Sequence, residues 1–165
     1  MCSTLALSAA PPALRPKLVL KVKEEHGALD LGVVQGLVQG AAAGGGFALA
    51  LASDVRLAGE SARMNAAFIR IGLSACDVGV SYFLPRLVGA SVASELLLTG
   101  NFIHAERALA TGLVSRVVPD DELEKAAREM AEDMLSASPL GLRLTKECLN
   151  MSLDAGSLEQ VIAME

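Results

Sequence analysis

Apolar and polar positions change rhythm several times along this chain. "KLVLKVKEEHG" alternates apolar with charged residues, the period-two pattern of a short edge strand. "VVQGLVQG" is a β-branched run ended by glycine and reads as a buried strand. "AAAGGG" then reads as a loop, and "FALALAS" as a helix that is apolar all round and therefore buried. "DVRLAG" alternates like a second strand, "ARMNAAF" holds a short third one, and "IGLSACDVG" is a loop. "VSYFLPRLVG" and "ASVASELLLTG" predict two short helices with glycine stops at Gly89 and Gly100. "HAERALATG" predicts another helix and "LVSRVVP" a strand.

Farther on, Asp120 is positioned to cap a helix whose Leu123, Ala127, Met130 and Met134 form one stripe. Ser138 before Pro139 is a cap with proline at the first helical position, and Leu140, Leu144, Cys148 and Met151 line the next stripe. A last helix starts at Ser157. Strands alternating with helices imply an α/β fold with a helical tail. Three regions follow: an atypical segment over 1–31, broken by Pro11, Pro12 and Pro16 and expected to be poorly ordered; a core over 32–119; and a helical region over 120–165.

Composition narrows the function classes. The 165 residues are 52% hydrophobic and 20% charged, enough for a real core and against general disorder. A net charge of -5 argues against nucleic acid as a partner. Asp54, Arg56, Arg63 and Arg70 interrupt every apolar run before it reaches membrane-spanning length. Cys2, Cys76 and Cys148 are odd in number and widely spaced, which fits neither a zinc site nor a disulfide framework and points to a reducing cytoplasm. The first sixteen residues carry no basic residue before Arg15 and do not read as a targeting signal.

The run Gly44–Gly46 needs a geometric reason, because glycine is entropically costly. A linker would be flanked by polar residues and would not lead into "FALALA". A helix packed tightly on a neighbouring backbone is one explanation. The other is a helix start near Gly45, whose first N–H groups have no intrahelical partner and can reach a ligand oxygen unobstructed. Such a turn is an oxyanion hole, in which one donor is worth about 3–4 kcal/mol in the transition state. No Lys-Ser or Lys-Thr pair follows the glycines and no G-x-G-x-x-G spacing is present, so a nucleotide loop is excluded.

"VQGAAAGGGFALALASDVRLAGESARM" resembles the signature of the crotonase, or enoyl-CoA hydratase/isomerase, superfamily. The likeness continues through "IGLSACDVGVSYFLPRLVG", "LLLTG", "AERALATGLVSRVVP" and "PLGLRLTKECLN", covering about 33–155 in order. It implies a ββα spiral core, here N-terminally incomplete, a coenzyme A thioester as substrate, no separate cofactor, no metal, and a homotrimer or dimer of trimers. The Gly45 N–H is then one oxyanion donor, with Ala43, Gly44, Gly46 and Phe68 lining the substrate. The family's other donor lies well upstream, and residues 1–31 do not look like that segment, so half of the hole is expected to be missing.

Family hydratases hold a water between two glutamates. Their positions, two after the glycine triplet and six after the alanine of "A-x-F", fall on Ala48 and Phe68, so water addition is unsupported. Asp77 resembles the aspartate of "GLxxDVG" in the dienoyl-CoA isomerase branch, one residue farther from Gly72 than in that branch. In an apolar pocket it would carry a proton along the acyl chain. It is equally placed to cap the helix beginning near Gly79. Cys76 reads as a bystander thiol, and His104 as a helix-start residue. His26 falls in the atypical segment, while Arg86, Arg143 and Lys146 are candidates for CoA phosphates or plain surface cations. The resemblance favours double-bond isomerisation through a stabilised enolate; the alternative is a non-catalytic or truncated CoA-binding or assembly subunit.

Overall fold

The computed structural model describes residues 33–163, together with the backbone of three two-residue strands, β1 (Leu5–Ala6), β2 (Lys17–Leu18) and β3 (Leu20–Lys21). The expected poor order of the start, Cys2 and His26 lie outside the described residues. The strand expected from alternation near residue 20 is present: β3 pairs antiparallel with β4 (Val34–Val38) at one edge of a four-stranded sheet.

The chain then winds as a spiral whose first two turns each place one strand in each of two sheets. β4 leads to β5 (Ala41–Ala43) and helix α1 (Gly45–Leu51); β6 (Val55–Gly59) leads to β7 (Arg63–Asn65), a 3₁₀ turn (Ala67–Ile71) and α2 (Val80–Thr99). Successive turns stack in parallel, with Gln35 opposite Val55 and Ala41 opposite Arg63. β8 (Ile103–His104) closes the smaller sheet in the order β5-β7-β8. α3 (Ala105–Ala110) follows, and β9 (Arg116–Val118) completes the larger sheet in the order β3-β4-β6-β9. The helical tail comprises α4 (Leu123–Leu135), α5 (Pro139–Ser152) and α6 (Leu158–Ile162).

Several expectations need correction. Ala41–Ala43, read as loop, forms β5, because its three residues find parallel partners in Arg63–Asn65. α1 is not buried all round: Phe47, Ala48, Ala50 and Leu51 face the core, but Leu49 is 53% exposed. A seven-residue helix has no stability of its own, so burial of Phe47 and Leu51, about 1.5–3 kcal/mol each, holds it in place. The two helices expected over 80–99 are, by contrast, both present: α2 is interrupted at Gly89, whose φ of 77° and ψ of 162° no helical residue adopts, and it ends at Gly100. Asp120 does not cap α4, since Glu122 occupies that position without a side-chain bond; Asp120 instead accepts the Ser61 N–H at 3.1 Å.

The α4 stripe faces inward as expected, Leu123 and Ala127 packing with Leu37 and Leu57 beneath the larger sheet. The α5 stripe does not. Leu140, Leu144 and Met151 are exposed, and it is Leu142 that packs against Val33 and Met134. Ser138 caps α5 ahead of Pro139, and Ser157 caps α6.

Candidate functional site

The glycine run becomes a turn because Gly44 has φ 54° and ψ −118°, a combination open to glycine and strained for any L side chain. Both polar groups of Gly44 are held: its N–H donates to the Asn65 carbonyl at 3.0 Å, and its carbonyl accepts the Ala48 N–H at 3.0 Å. The next peptide starts α1. Among the described residues no acceptor meets the N–H of Gly45 or Gly46, as expected of a first helical turn. A Cβ added at either would meet nothing within 4 Å among the described residues. Gly45 is exposed, and among the described residues no neighbouring backbone packs on it.

Phe68 lies over this turn. Its half-buried ring comes to 3.2 Å from where a Cβ of Gly44 would stand. Ala43 is exposed at the end of β5, and Gly46 is half-buried behind Gly45. The structure therefore brings Ala43, Gly44, Gly45, Gly46 and Phe68 to one place. Ala48 is buried in the core cluster with Phe47 and Ala50, facing away from solvent.

Asp77 is differently placed. Its side chain is exposed, not enclosed by apolar residues, and its Oδ1 accepts the neighbouring Val78 N–H at 2.9 Å. Val78 has φ 49°, an uncommon conformation for a β-branched residue. The cap of α2 is Gly79, and Asp77 contributes only its carbonyl, to Val80 N–H at 3.1 Å. No hydrogen bond joins Asp77 to the glycine turn among the described residues. Cys76 is exposed, and His104 occupies the cap position of α3 with no side-chain bond to it. Arg143 pairs with Glu147 along α5 at 3.9 Å. The Arg86 guanidinium sits 3.7 Å from the Tyr82 ring centre, and Tyr82 donates to Asp154 at 2.6 Å. That bond, with desolvation second, raises the Tyr82 pKa.

The other end of α1 is sealed by residues that sequence reading treated only as interruptions. The buried Arg56 donates from Nε to Leu113 O at 2.8 Å and from Nη1 to Leu51 O at 3.2 Å, Ala50 O at 3.5 Å and Ser53 O. Burial lowers its pKa, and Asp54 opposes that shift. Asp54 Oδ2 accepts the Val34 N–H at 2.7 Å and pairs with Lys146 at 2.8 Å, so Lys146 is engaged in the body of the fold. A cavity of about 390 Å³ lies at this end, lined among others by Leu51, Val55, Phe83, Leu87, Leu142 and Leu149. Its lining does not include the glycine turn. Asn65 and Gln35 were also missed: both are buried, with Asn65 Oδ1 and both polar atoms of Gln35 unpartnered among the described residues. The available signal was a lone cation or amide within an apolar run, which needs acceptors or donors wherever it is buried.

Among the described residues, no group of three or more His, Cys, Asp or Glu is placed to hold a metal, and no helix is long and apolar enough to cross a membrane. Comparison with known proteins matches residues 28–165 to the enoyl-CoA hydratase/isomerase family model. A "probable enoyl-CoA hydratase" of Mycobacterium tuberculosis is 50% identical over 122 residues, 74% of this chain and 43% of that protein. The crystal structure of a "probable enoyl-CoA hydratase/isomerase" from Mycobacterium abscessus superposes with a TM-score of 0.76 at 43% identity, over 77% of this chain and 49% of that one. A "monofunctional enoyl CoA isomerase" from M. smegmatis superposes at 0.69 with 50% identity, over 74% of this chain and 57% of that one. The chain thus spans about half the length of the relatives it matches.

Proposed function

The chain belongs to the enoyl-CoA hydratase/isomerase family, and on that premise we propose that it acts on an acyl-CoA thioester and shifts a double bond rather than adding water. The observation that carries the reading is the turn at Gly45, whose N–H has no acceptor, and whose missing side chain would have no neighbour, among the described residues. In this reading the thioester oxygen accepts from Gly45, and the negative charge of the enolate develops against a fixed donor. Ala43, Gly44, Gly46 and Phe68 shape the space around the acyl group. Coenzyme A enters as part of the substrate, and no separate cofactor takes part.

Isomerisation is favoured because the positions of the two family glutamates hold groups that cannot move a proton. Ala48 is sunk in the core and the Phe68 ring covers Gly44. Asp77 is the proton carrier of this proposal: its carboxylate takes a proton from one carbon of the enoyl chain and returns it at another, leaving the enzyme unchanged. The M. smegmatis relative described as a monofunctional isomerase supports the direction. A homotrimer or dimer of trimers and a cytoplasmic setting complete the reading, the latter supported by the free thiols of Cys76 and Cys148.

The test is turnover of enoyl- and dienoyl-CoA panels by the purified chain and by Asp77→Asn. A loss of about 100-fold in kcat is expected, within the range for removing a proton-transfer group. Unchanged turnover removes Asp77 from the mechanism. The exposure of Asp77 and its lack of a bond to the turn favour a second reading, a CoA-binding or assembly subunit without chemistry. Binding heat with acyl-CoA but no turnover would establish it.

A further inference from the structure

We infer that Asn65 is a positioning residue that fixes the orientation of the Gly45 peptide; this rests on the oxyanion reading above. Asn65 ends β7 and stands opposite Ala43 in the smaller sheet. Its main-chain carbonyl accepts the Gly44 N–H at 3.0 Å, while its side-chain Nδ2 donates to the Gly100 carbonyl at 3.0 Å. One residue therefore ties the glycine turn to the far end of α2.

Gly100 is itself fixed. Its φ is 62°, and a Cβ there would fall 2.5 Å from Ile69 Cγ2, so its backbone lies against the 3₁₀ turn 67–71. That turn begins two residues after Asn65 and carries Phe68, whose ring covers Gly44. Asn65, Gly100, the 3₁₀ turn and Gly44 thus form a closed frame, with Asn65 bonded to two of its sides. The peptide that bears the Gly45 N–H hangs from Gly44, so the tilt of the Gly44 N–H toward Asn65 sets where Gly45 points.

The side chain carries a cost that packing alone does not explain. Asn65 is 5% exposed, and its Oδ1 has no partner among the described residues. A bare acceptor in the interior is unfavourable, and a small apolar residue would fill a strand end without it. The amide is retained for its donor, which reaches Gly100.

The experiment compares the full chain with Asn65→Ala and with Asn101→Ala, which cuts the bond from Arg70 of the 3₁₀ turn to Asn101 and leaves both Asn65 bonds and the glycine turn untouched. Amide ¹⁵N–¹H spectra read the frame directly. Acetoacetyl-CoA reads its consequence, because a thioester oxygen held by the turn favours the ultraviolet-absorbing enolate of the bound ligand. In Asn65→Ala the Gly44, Gly45 and Gly46 resonances are expected to move, with the ligand bound within about threefold and its enolate fraction reduced about tenfold. Asn101→Ala leaves both readouts in place. Resonances and enolate fraction that hold in Asn65→Ala overturn the inference. A parent chain that binds the ligand without enolate overturns the oxyanion reading instead, and the resonances alone then decide for or against Asn65. If Asn65→Ala does not fold, Asn65→Ser, too short to reach Gly100, is judged by the same readouts.

Discussion

The two ends of α1 differ in one respect. At its start, Gly45 and Gly46 leave their N–H groups without acceptors among the described residues and with open space beside them. At its finish, the Ala50 and Leu51 carbonyls are both taken up by the Arg56 guanidinium. A helix leaves unpaired groups at both termini, so the difference is a choice made by the neighbouring residues. Where backbone polarity is sealed with a buried cation, the structure is serving stability; where it is left bare beside glycines that keep side chains away, it is available to a ligand.

The largest expected effect falls on the sealed end. Arg56→Met keeps much of the volume but strands several buried carbonyls, and should cost about 3 kcal/mol or more in urea unfolding. A small loss would show that the seal is not what holds α1. At the open end, neighbouring glycines are expected to respond oppositely. Gly44→Ala forces a strained conformation beneath Phe68 and should lower stability by about 1–3 kcal/mol. Gly45→Ala meets no obstacle and should fold at least as stably, about 0.4–1 kcal/mol better by chain entropy. On the proposed oxyanion reading its methyl group would stand where the thioester oxygen approaches, so acyl-CoA turnover should fall about 100-fold. Thermal melts beside turnover assays separate the two.

The smallest effect concerns the approach to the turn. Asp120 accepts the Ser61 N–H, and Ser61 Oγ accepts the Gly40 N–H at 3.1 Å just before β5. Hydrogen bonding to Ser61, foremost, holds the Asp120 carboxyl below its ordinary pKa. A carboxylate depressed by folding stabilises the native state above its unfolded pKa, and that contribution is lost as pH falls through the lower folded value. The parent should therefore exceed Asp120→Asn in stability at neutral pH, and the gap should close in strong acid. Denaturation series at several pH values would show it; a gap independent of pH would assign the effect to packing.

Much of this architecture was legible because period and punctuation coincide. The apolar stripe of α4, the Ser138–Pro139 start of α5 and the glycine start of α1 each join a periodic face to a local stop or cap. β5 was illegible because three alanines have no strand preference; only the parallel row of Arg63–Asn65 makes them a strand. The α5 stripe misled because Leu140, Leu144 and Met151 satisfy a helical period whichever way the helix is turned, and docking through Leu142 turned it the other way. The glycine turn with Phe68 was legible through family likeness. The roles of Arg56 and Asn65 were not, because their partners are main-chain carbonyls, Leu113 and Gly100, 57 and 35 residues away.

The reach of Arg56 bears on how the chain folds. Its guanidinium needs acceptors from residues 50–53 and from Leu113, and its own carbonyl accepts from Ser115 N–H and Oγ. The seal at the end of the helix behind the glycine turn is therefore complete only with residues 113–115 docked, which joins an early stretch of chain to a late one. A chain ending before that point would lack the Leu113 acceptor and leave this end of α1 unsealed.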